Sequence, residues 1–173
     1  WQLNEEDDFR LSVEKLCDAL DSSFELLIMC NPNNPTGFAL HHAGLTELLS
    51  HCQRNSIRVL IDETYVEFTE DMEDITAVPL AAKFSNLIVL RGISKFFAAP
   101  GLRLGYAVSS DEELRRRVGD TEDPWAINSI AAVSGGAMFS DTEYIMKTKK
   151  FAADERTRLL DILKAEPNLH VYE

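Results

Sequence analysis

The sequence has no long apolar run, few basic residues and few cysteines. A membrane-spanning helix needs roughly 20 consecutive apolar residues, and the longest apolar runs here are far shorter. The 29 acidic residues outnumber the 17 lysines and arginines, which gives a formal net charge of -12. Such a chain offers no basic stripe to phosphate groups, so we expect neither a membrane nor a nucleic acid as its partner.

The sequence also lacks the spacings that are typical of disulfide, metal and dinucleotide sites. Its three cysteines, Cys17, Cys30 and Cys52, show no Cys-x-x-Cys spacing. They fall on predicted helix faces or end a predicted strand, so we expect buried free thiols in a reducing, cytoplasmic protein. His41 and His42 are adjacent and point apart on a helix, unlike zinc ligands. No Gly-x-Gly-x-x-Gly loop is present to bind a nicotinamide dinucleotide.

Apolar periodicity predicts alternating helices and strands. The predicted strands cover residues 24–30, 58–62, 86–91 and 102–108. The predicted helices cover residues 13–20, 45–52, 111–118, 126–138 and 142–165, with Pro124 just before the fourth. This alternation indicates an α/β fold with a mainly parallel sheet flanked by helices. Ligands of such sheets bind at the carboxyl ends of the strands.

Several local features add narrower expectations. Residues 24–30 are expected to form a buried strand, and Ser110 with Glu113 to form a capping box. The last helix is expected to bury four apolar residues, namely Phe151, Leu159, Ile162 and Leu163. The chain starts at Trp1 without a methionine, and residues 169–173 resemble the start of a strand. We therefore expect it to be part of a longer protein.

Polar segments follow three of the predicted strands. Residues 31–37 read Asn-Pro-Asn-Asn-Pro-Thr-Gly, whose two Asn-Pro pairs disfavour helix and are compatible with a cis bond. Asp62 closes an apolar run, where its carboxylate needs a cation or hydrogen-bond donors. Lys95 is flanked by aromatic and small residues, and burial would lower its pKa and free the amine for Schiff-base chemistry. Each segment alone also fits an ordinary turn, helix cap or surface lysine.

In this order, the motifs resemble the signature of the class I and II aminotransferases of fold type I. They are Asn-Pro-x-Asn-Pro-Thr-Gly, then Asp-x-x-Tyr at residues 62–65, then Ser-Lys at 94–95, then Gly-x-Arg-x-Gly at 101–105. The resemblance spans nearly the whole chain. It implies that residues 1–140 are the second half of a large cofactor-binding domain. Residues 141–173 would then be a connecting helix and the start of a small domain.

The resemblance implies pyridoxal 5'-phosphate as cofactor and gives each motif residue a role. Lys95 matches the lysine that binds the cofactor as a Schiff base and moves a proton at the substrate α-carbon. Asp62 matches the aspartate that pairs with the protonated ring nitrogen. The other matches are donors to the ring oxygen, Asn34 and Tyr65, and phosphate ligands, Ser94 and Arg103. Many relatives carry Ser or Thr where this chain has Gly92, so one phosphate ligand is expected to be missing.

Residues 92–106 and 124–128 resemble one branch of that family, the histidinol-phosphate aminotransferases and threonine-phosphate decarboxylases. We expect an aminotransferase of amino-acid biosynthesis that acts on amino acids or their phosphate-bearing analogues, with an oxo acid as the other small-molecule partner. We expect it to be a homodimer at full length. The decarboxylase is the alternative, because the two activities differ in which α-carbon bond is broken. An inactive structural or interaction relic is a second alternative. The resemblance also implies that the isolated chain is not catalytically competent, because it lacks the segments that complete the site.

Overall fold

The computed structural model describes residues 1–123 and 125–172. Pro124 and Glu173, with the predictions that fall on them, lie outside the described residues. The strands are β1 (Leu26–Cys30), β2 (Arg58–Asp62), β3 (Leu87–Gly92) and β4 (Gly105–Val108). The helices are α1 (Val13–Ala19), α2 (His42–Arg54), α3 (Met72–Ile75), α4 (Glu112–Thr121), α5 (Ser129–Ser140) and α6 (Thr142–Lys164). The predicted α/β class is confirmed.

The four strands form one sheet in the order β1-β2-β3-β4. β1, β2 and β3 run parallel, whereas β4 pairs antiparallel with β3. The sheet is therefore mainly parallel, as predicted. β4 is shorter than predicted, because a 3₁₀ turn at Pro100–Leu102 and a left-handed backbone at Arg103, with φ of 54°, precede it.

The main core lies between one face of the sheet and the helices α1 and α2. The α2 stripe that predicted a helix is fully buried, and it consists of Leu45, Leu48, Leu49 and Cys52. Fully burying a leucine side chain contributes about 2 kcal/mol, so this stripe holds α2 on the sheet.

Burial also raises the pKa of the Cys52 thiol to about 11. The three cysteines are free, as predicted, although Cys30 is only half-buried.

Two predictions of burial are wrong. In β1, Leu26 and Ile28 are exposed, because β1 is an edge strand and no described element covers that face. On α6, Phe151, Leu159 and Ile162 are exposed and Leu163 is half-buried. Apolar spacing correctly predicted that a helix forms there. It could not show whether a neighbouring element lies on the apolar face.

Three local predictions also need correction. The cap of α4 is Asp111 rather than Ser110, because the Asp111 carboxylate accepts from the Leu114 amide at 2.9 Å. The helix predicted at 126–138 begins later, after the capping residue Asn128. Residues 169–172 form no strand. Within the described ranges, no helix combines the length and apolar character that crossing a membrane requires.

Candidate active site

The three polar segments predicted from the sequence meet at one edge of the sheet. Because β1, β2 and β3 are parallel, their carboxyl ends lie at the same edge, which is where ligands bind in open α/β sheets. An open cavity of about 390 Å³ lies there. Its volume falls in the range of small-molecule sites, roughly 300–1,000 Å³. It is lined by Cys30, Asn34, Asp62, Thr64, Tyr65, Ser94 and Lys95.

The loop after β1 is anchored by a buried asparagine. The Asn31 side chain accepts from the Leu40 amide at 2.7 Å and donates to the carbonyls of Leu40 and Ile75 at 3.0 and 3.1 Å. The peptide bonds before Pro32 and Pro35 are both cis. Gly37 has φ of 75°, a left-handed conformation that glycine adopts without steric cost. Asn31 thus anchors the loop that brings Asn34 to the cavity.

The end of β2 contributes a carboxylate and a phenol to the cavity. Asp62 accepts from the Thr64 amide at 2.9 Å and from the Thr64 hydroxyl at 2.5 Å. This local turn orients Asp62 in a half-buried position. The Asn34 amide donates to the Tyr65 hydroxyl at 3.4 Å, so two segments 31 residues apart are in contact.

Lys95 is exposed, which corrects the expectation that its neighbours would bury it. The aromatic residues beside it, Phe96 and Phe97, instead turn into a second apolar cluster around Ile93. The lysine is therefore left on the cavity side, with its Nζ 6.0 Å from the centroid of the Tyr65 ring.

Cys30 is also among the residues that line the cavity. Burial raises the pKa of its thiol, and the charge of Asp62 raises it further. The thiol therefore stays neutral at neutral pH, which makes it a poor nucleophile.

Arg103 is not among the residues that line the cavity. Its side chain is exposed, and its Nη1 donates to the Pro100 carbonyl at 3.0 Å. The structure thus brings together five of the six predicted site residues and leaves the guanidinium apart from them.

The family model of aminotransferase class I and II matches residues 1–173. The chain belongs to this aminotransferase family. The match covers every residue, so both the sheet and the helices that follow it are part of the family's sequence pattern.

Relatives in the aminotransferase family carry two kinds of name. The chain is 31% identical over 172 residues to the threonine-phosphate decarboxylase of Salmonella typhimurium, covering 99% of this chain and 46% of that protein. It is 33% identical over 171 residues to the histidinol-phosphate aminotransferase of Ruminiclostridium cellulolyticum, covering 98% of this chain and 46% of that protein. The chain thus spans a little under half the length of these relatives.

A solved aminotransferase has the same fold. The crystal structure of the histidinol-phosphate aminotransferase from Clostridium acetobutylicum superposes with a TM-score of 0.90 at 27% identity. The match covers 99% of this chain and 50% of that one. It confirms the predicted fold class, the α/β fold that this family has.

Sequence reasoning missed a buried ion pair next to the cavity of this aminotransferase chain. Glu63 is completely buried, and the Nε and Nη2 atoms of Arg91 both donate to its Oε2 atom. The available signal was a second carboxylate directly after Asp62, at the end of an apolar strand. Successive side chains of extended backbone point to opposite sides, which favours a different side for Glu63 than for Asp62, and a buried carboxylate there needs its own partner.

Proposed function

We propose that this chain carries the cofactor-binding and proton-transfer residues of a pyridoxal-phosphate-dependent aminotransferase. The observation that carries the proposal is the convergence of Lys95, Asp62, Tyr65, Asn34 and Ser94 on one cavity. These residues come from three separated segments, yet each is a group that the aminotransferase signature assigns to the cofactor site. The activity, substrates and partners of the whole protein are part of this proposal.

The side chains at the cavity fit that cofactor chemically. When bound, pyridoxal phosphate supplies an electron sink for the negative charge that develops at the substrate α-carbon. Asp62 would hold the proton on the ring nitrogen, and Asn34 with Tyr65 would donate hydrogen bonds to the ring oxygen. Ser94 and Arg103 would bind the phosphate, the arginine after leaving its contact with Pro100. Lys95 would attach the cofactor and then move the proton at the α-carbon.

Covalent labelling tests this assignment. Pyridoxal phosphate is added to the purified protein, the mixture is reduced with borohydride, and the modified peptide is identified by mass spectrometry. We expect the pyridoxyl group on Lys95, with none in Lys95→Ala. Lys83→Ala is the matched control, since Lys83 is also exposed but lies before the start of β3, at the other end of the strand.

Two results would contradict the proposal. Label spread evenly over exposed lysines would mean that no site is built around Lys95. A cooperatively folded protein that takes up no label would favour the alternative of a catalytically inactive relic.

A second candidate is supported by the threonine-phosphate decarboxylase of Salmonella typhimurium, which matches almost the whole chain. Both activities use the same cofactor contacts and differ in the α-carbon bond that is broken. The full-length protein is therefore supplied with amino acids and their phosphate-bearing analogues. Amino transfer to an oxo acid supports the aminotransferase, and release of carbon dioxide without amino transfer supports the decarboxylase.

Four further expectations belong to the same proposal. The free cysteines support a reducing, cytoplasmic location. Exposed apolar side chains on β1, α5 and α6 support a homodimer at full length. A role in amino-acid biosynthesis is supported by the relative named histidinol-phosphate aminotransferase. The break between α5 and α6 at Asp141 supports a cofactor domain over residues 1–140 and a second segment over 141–173.

A further inference from the structure

A buried network of hydrogen bonds joins the ends of β2 and β3. The Nε and Nη2 atoms of Arg91 both donate to Oε2 of Glu63, at 2.9 and 2.8 Å. The Thr76 hydroxyl donates to the same oxygen at 2.8 Å, and the Ala77 amide donates to Oε1 at 2.5 Å. Both carboxylate oxygens of Glu63 are therefore satisfied inside the protein.

Glu63 belongs to the segment that carries two of the proposed cofactor contacts. It directly follows Asp62 and precedes Tyr65 by two residues. Its amide donates to the Leu90 carbonyl at 2.9 Å, and its carbonyl accepts from the Val66 amide at 3.0 Å. The position of Glu63 therefore sets the turn on which the Asp62 carboxylate and the Tyr65 hydroxyl are carried.

Arg91 contacts that segment on both sides of Tyr65. Besides Glu63, its Nη1 lies 3.7 Å from Oε1 of Glu67, a carboxyl whose pKa is raised by burial. Arg91 is the penultimate residue of β3, the strand that leads into Ser94 and Lys95. The Arg91 guanidinium thus links the segment that carries Asp62 and Tyr65 to the segment that carries Ser94 and Lys95.

Stability alone does not account for such a pair. Moving two charges out of water offsets most of their attraction, and apolar residues of similar volume often serve stability equally well. A planar guanidinium fork adds a fixed direction and distance, which apolar contacts lack.

We propose that Glu63 and Arg91 are positioning residues of the cofactor site, an inference that rests on the proposed function. They hold the turn that carries Asp62 and Tyr65 in a fixed position relative to the segment that carries Lys95. Neither residue lines the cavity, so both act through the residues that do.

Two substitutions and one matched control test the inference. Glu63→Gln preserves the volume and removes the charge, and Arg91→Lys preserves the charge and removes the fork. The control is Arg58→Gln, which breaks an ion pair with Asp111 of 3.3 Å at the opposite end of β2. Each protein is titrated with pyridoxal phosphate, the pH midpoint of the bound cofactor's visible absorbance is recorded, and cooperative thermal melting is checked.

We expect both Glu63→Gln and Arg91→Lys to raise the Kd for pyridoxal phosphate by about tenfold or more, because misplaced contacts lose most of their effect. The pH midpoint should also move in these variants, since it depends on donors to the ring oxygen and on the charge at Asp62. A loss of stability alone would not move that midpoint in a folded protein. Arg58→Gln should change the Kd by less than about threefold, as exposed ion pairs contribute little.

The two proposals fail in different ways. If the unaltered protein carries no label on Lys95, the cofactor assignment fails and the positioning role fails with it. If it is labelled, but the folded variants bind like the control with an unchanged pH midpoint, the positioning role alone is overturned. If Glu63→Gln does not melt cooperatively, Arg91→Lys alone tests the positioning role, by its Kd for pyridoxal phosphate and its pH midpoint.

Discussion

At the scale of single residues, buried polar side chains determine the shape of the candidate site. Asn31 and Glu63 are both almost inaccessible to solvent, and each is hydrogen-bonded to backbone groups of distant segments. Buried polar groups stay stable only when such partners are present. These two residues therefore constrain the two loops that carry Asn34, Asp62 and Tyr65.

We predict that Asn31→Ala lowers the free energy of unfolding by about 2–3 kcal/mol, because the Leu40 amide and the carbonyls of Leu40 and Ile75 lose their partner. Urea unfolding of the purified variant measures this change. The control is Asn33→Ala in the same loop, where the side chain donates to the Thr36 hydroxyl at 2.8 Å. Equal destabilisation by the two substitutions would refute the anchoring role of Asn31.

At the scale of secondary structure, helix α2 and strand β2 matched their predictions closely, whereas the start of α4 did not. The apolar stripe of α2 is buried in the core, as are Val59 and Ile61 of β2, whereas Leu60 is half-buried. Ser110 and Asp111 are both good capping residues by type. Asp111 caps the helix, and its carboxylate also lies 3.3 Å from Arg58 of β2, a contact invisible in the local sequence.

We predict that Asp111→Ala lowers the urea midpoint, whereas Ser110→Ala leaves it nearly unchanged. The Leu114 amide and the Arg58 charge hold the pKa of Asp111 below its ordinary value of 3.8. A lowered folded-state pKa contributes stability above that ordinary value, and this contribution is lost as pH falls through the folded-state pKa. The difference in urea midpoint between the unaltered protein and Asp111→Ala should therefore be widest near about pH 6 and shrink towards about pH 3. A gap that is independent of pH would argue against the carboxylate as the cap.

At the scale of the whole molecule, the chain combines one well-packed core with large exposed apolar side chains. Leu26 and Ile28 are 46% and 65% exposed on the outer strand β1, and no described strand pairs with its free edge. Open strand edges and apolar patches of this kind promote association between molecules. The net charge of -12 opposes it through mutual repulsion.

We predict that the purified chain self-associates as its concentration rises, and that Ile28→Lys weakens this association, because a lysine on an edge strand disfavours pairing. Analytical ultracentrifugation over a range of concentrations measures the effect. Val118→Lys is the control, since Val118 is 57% exposed but lies on helix α4. An identical loss of association in both variants would show that the loss is not specific to the edge of β1.

The sequence alone determined the fold class, most of the helices and strands, and five of the residues at the cavity. The fold class, the elements and these residues depend on local periodicity and on motif order, which are properties of the linear sequence. The tertiary structure decided which residues meet and which are buried. It placed Asn34 against Tyr65, left Lys95 exposed and kept Arg103 apart, because these outcomes depend on how separated segments pack. It alone revealed the ion pair of Glu63 and Arg91, since a buried charge is stable only beside a partner that folding brings to it.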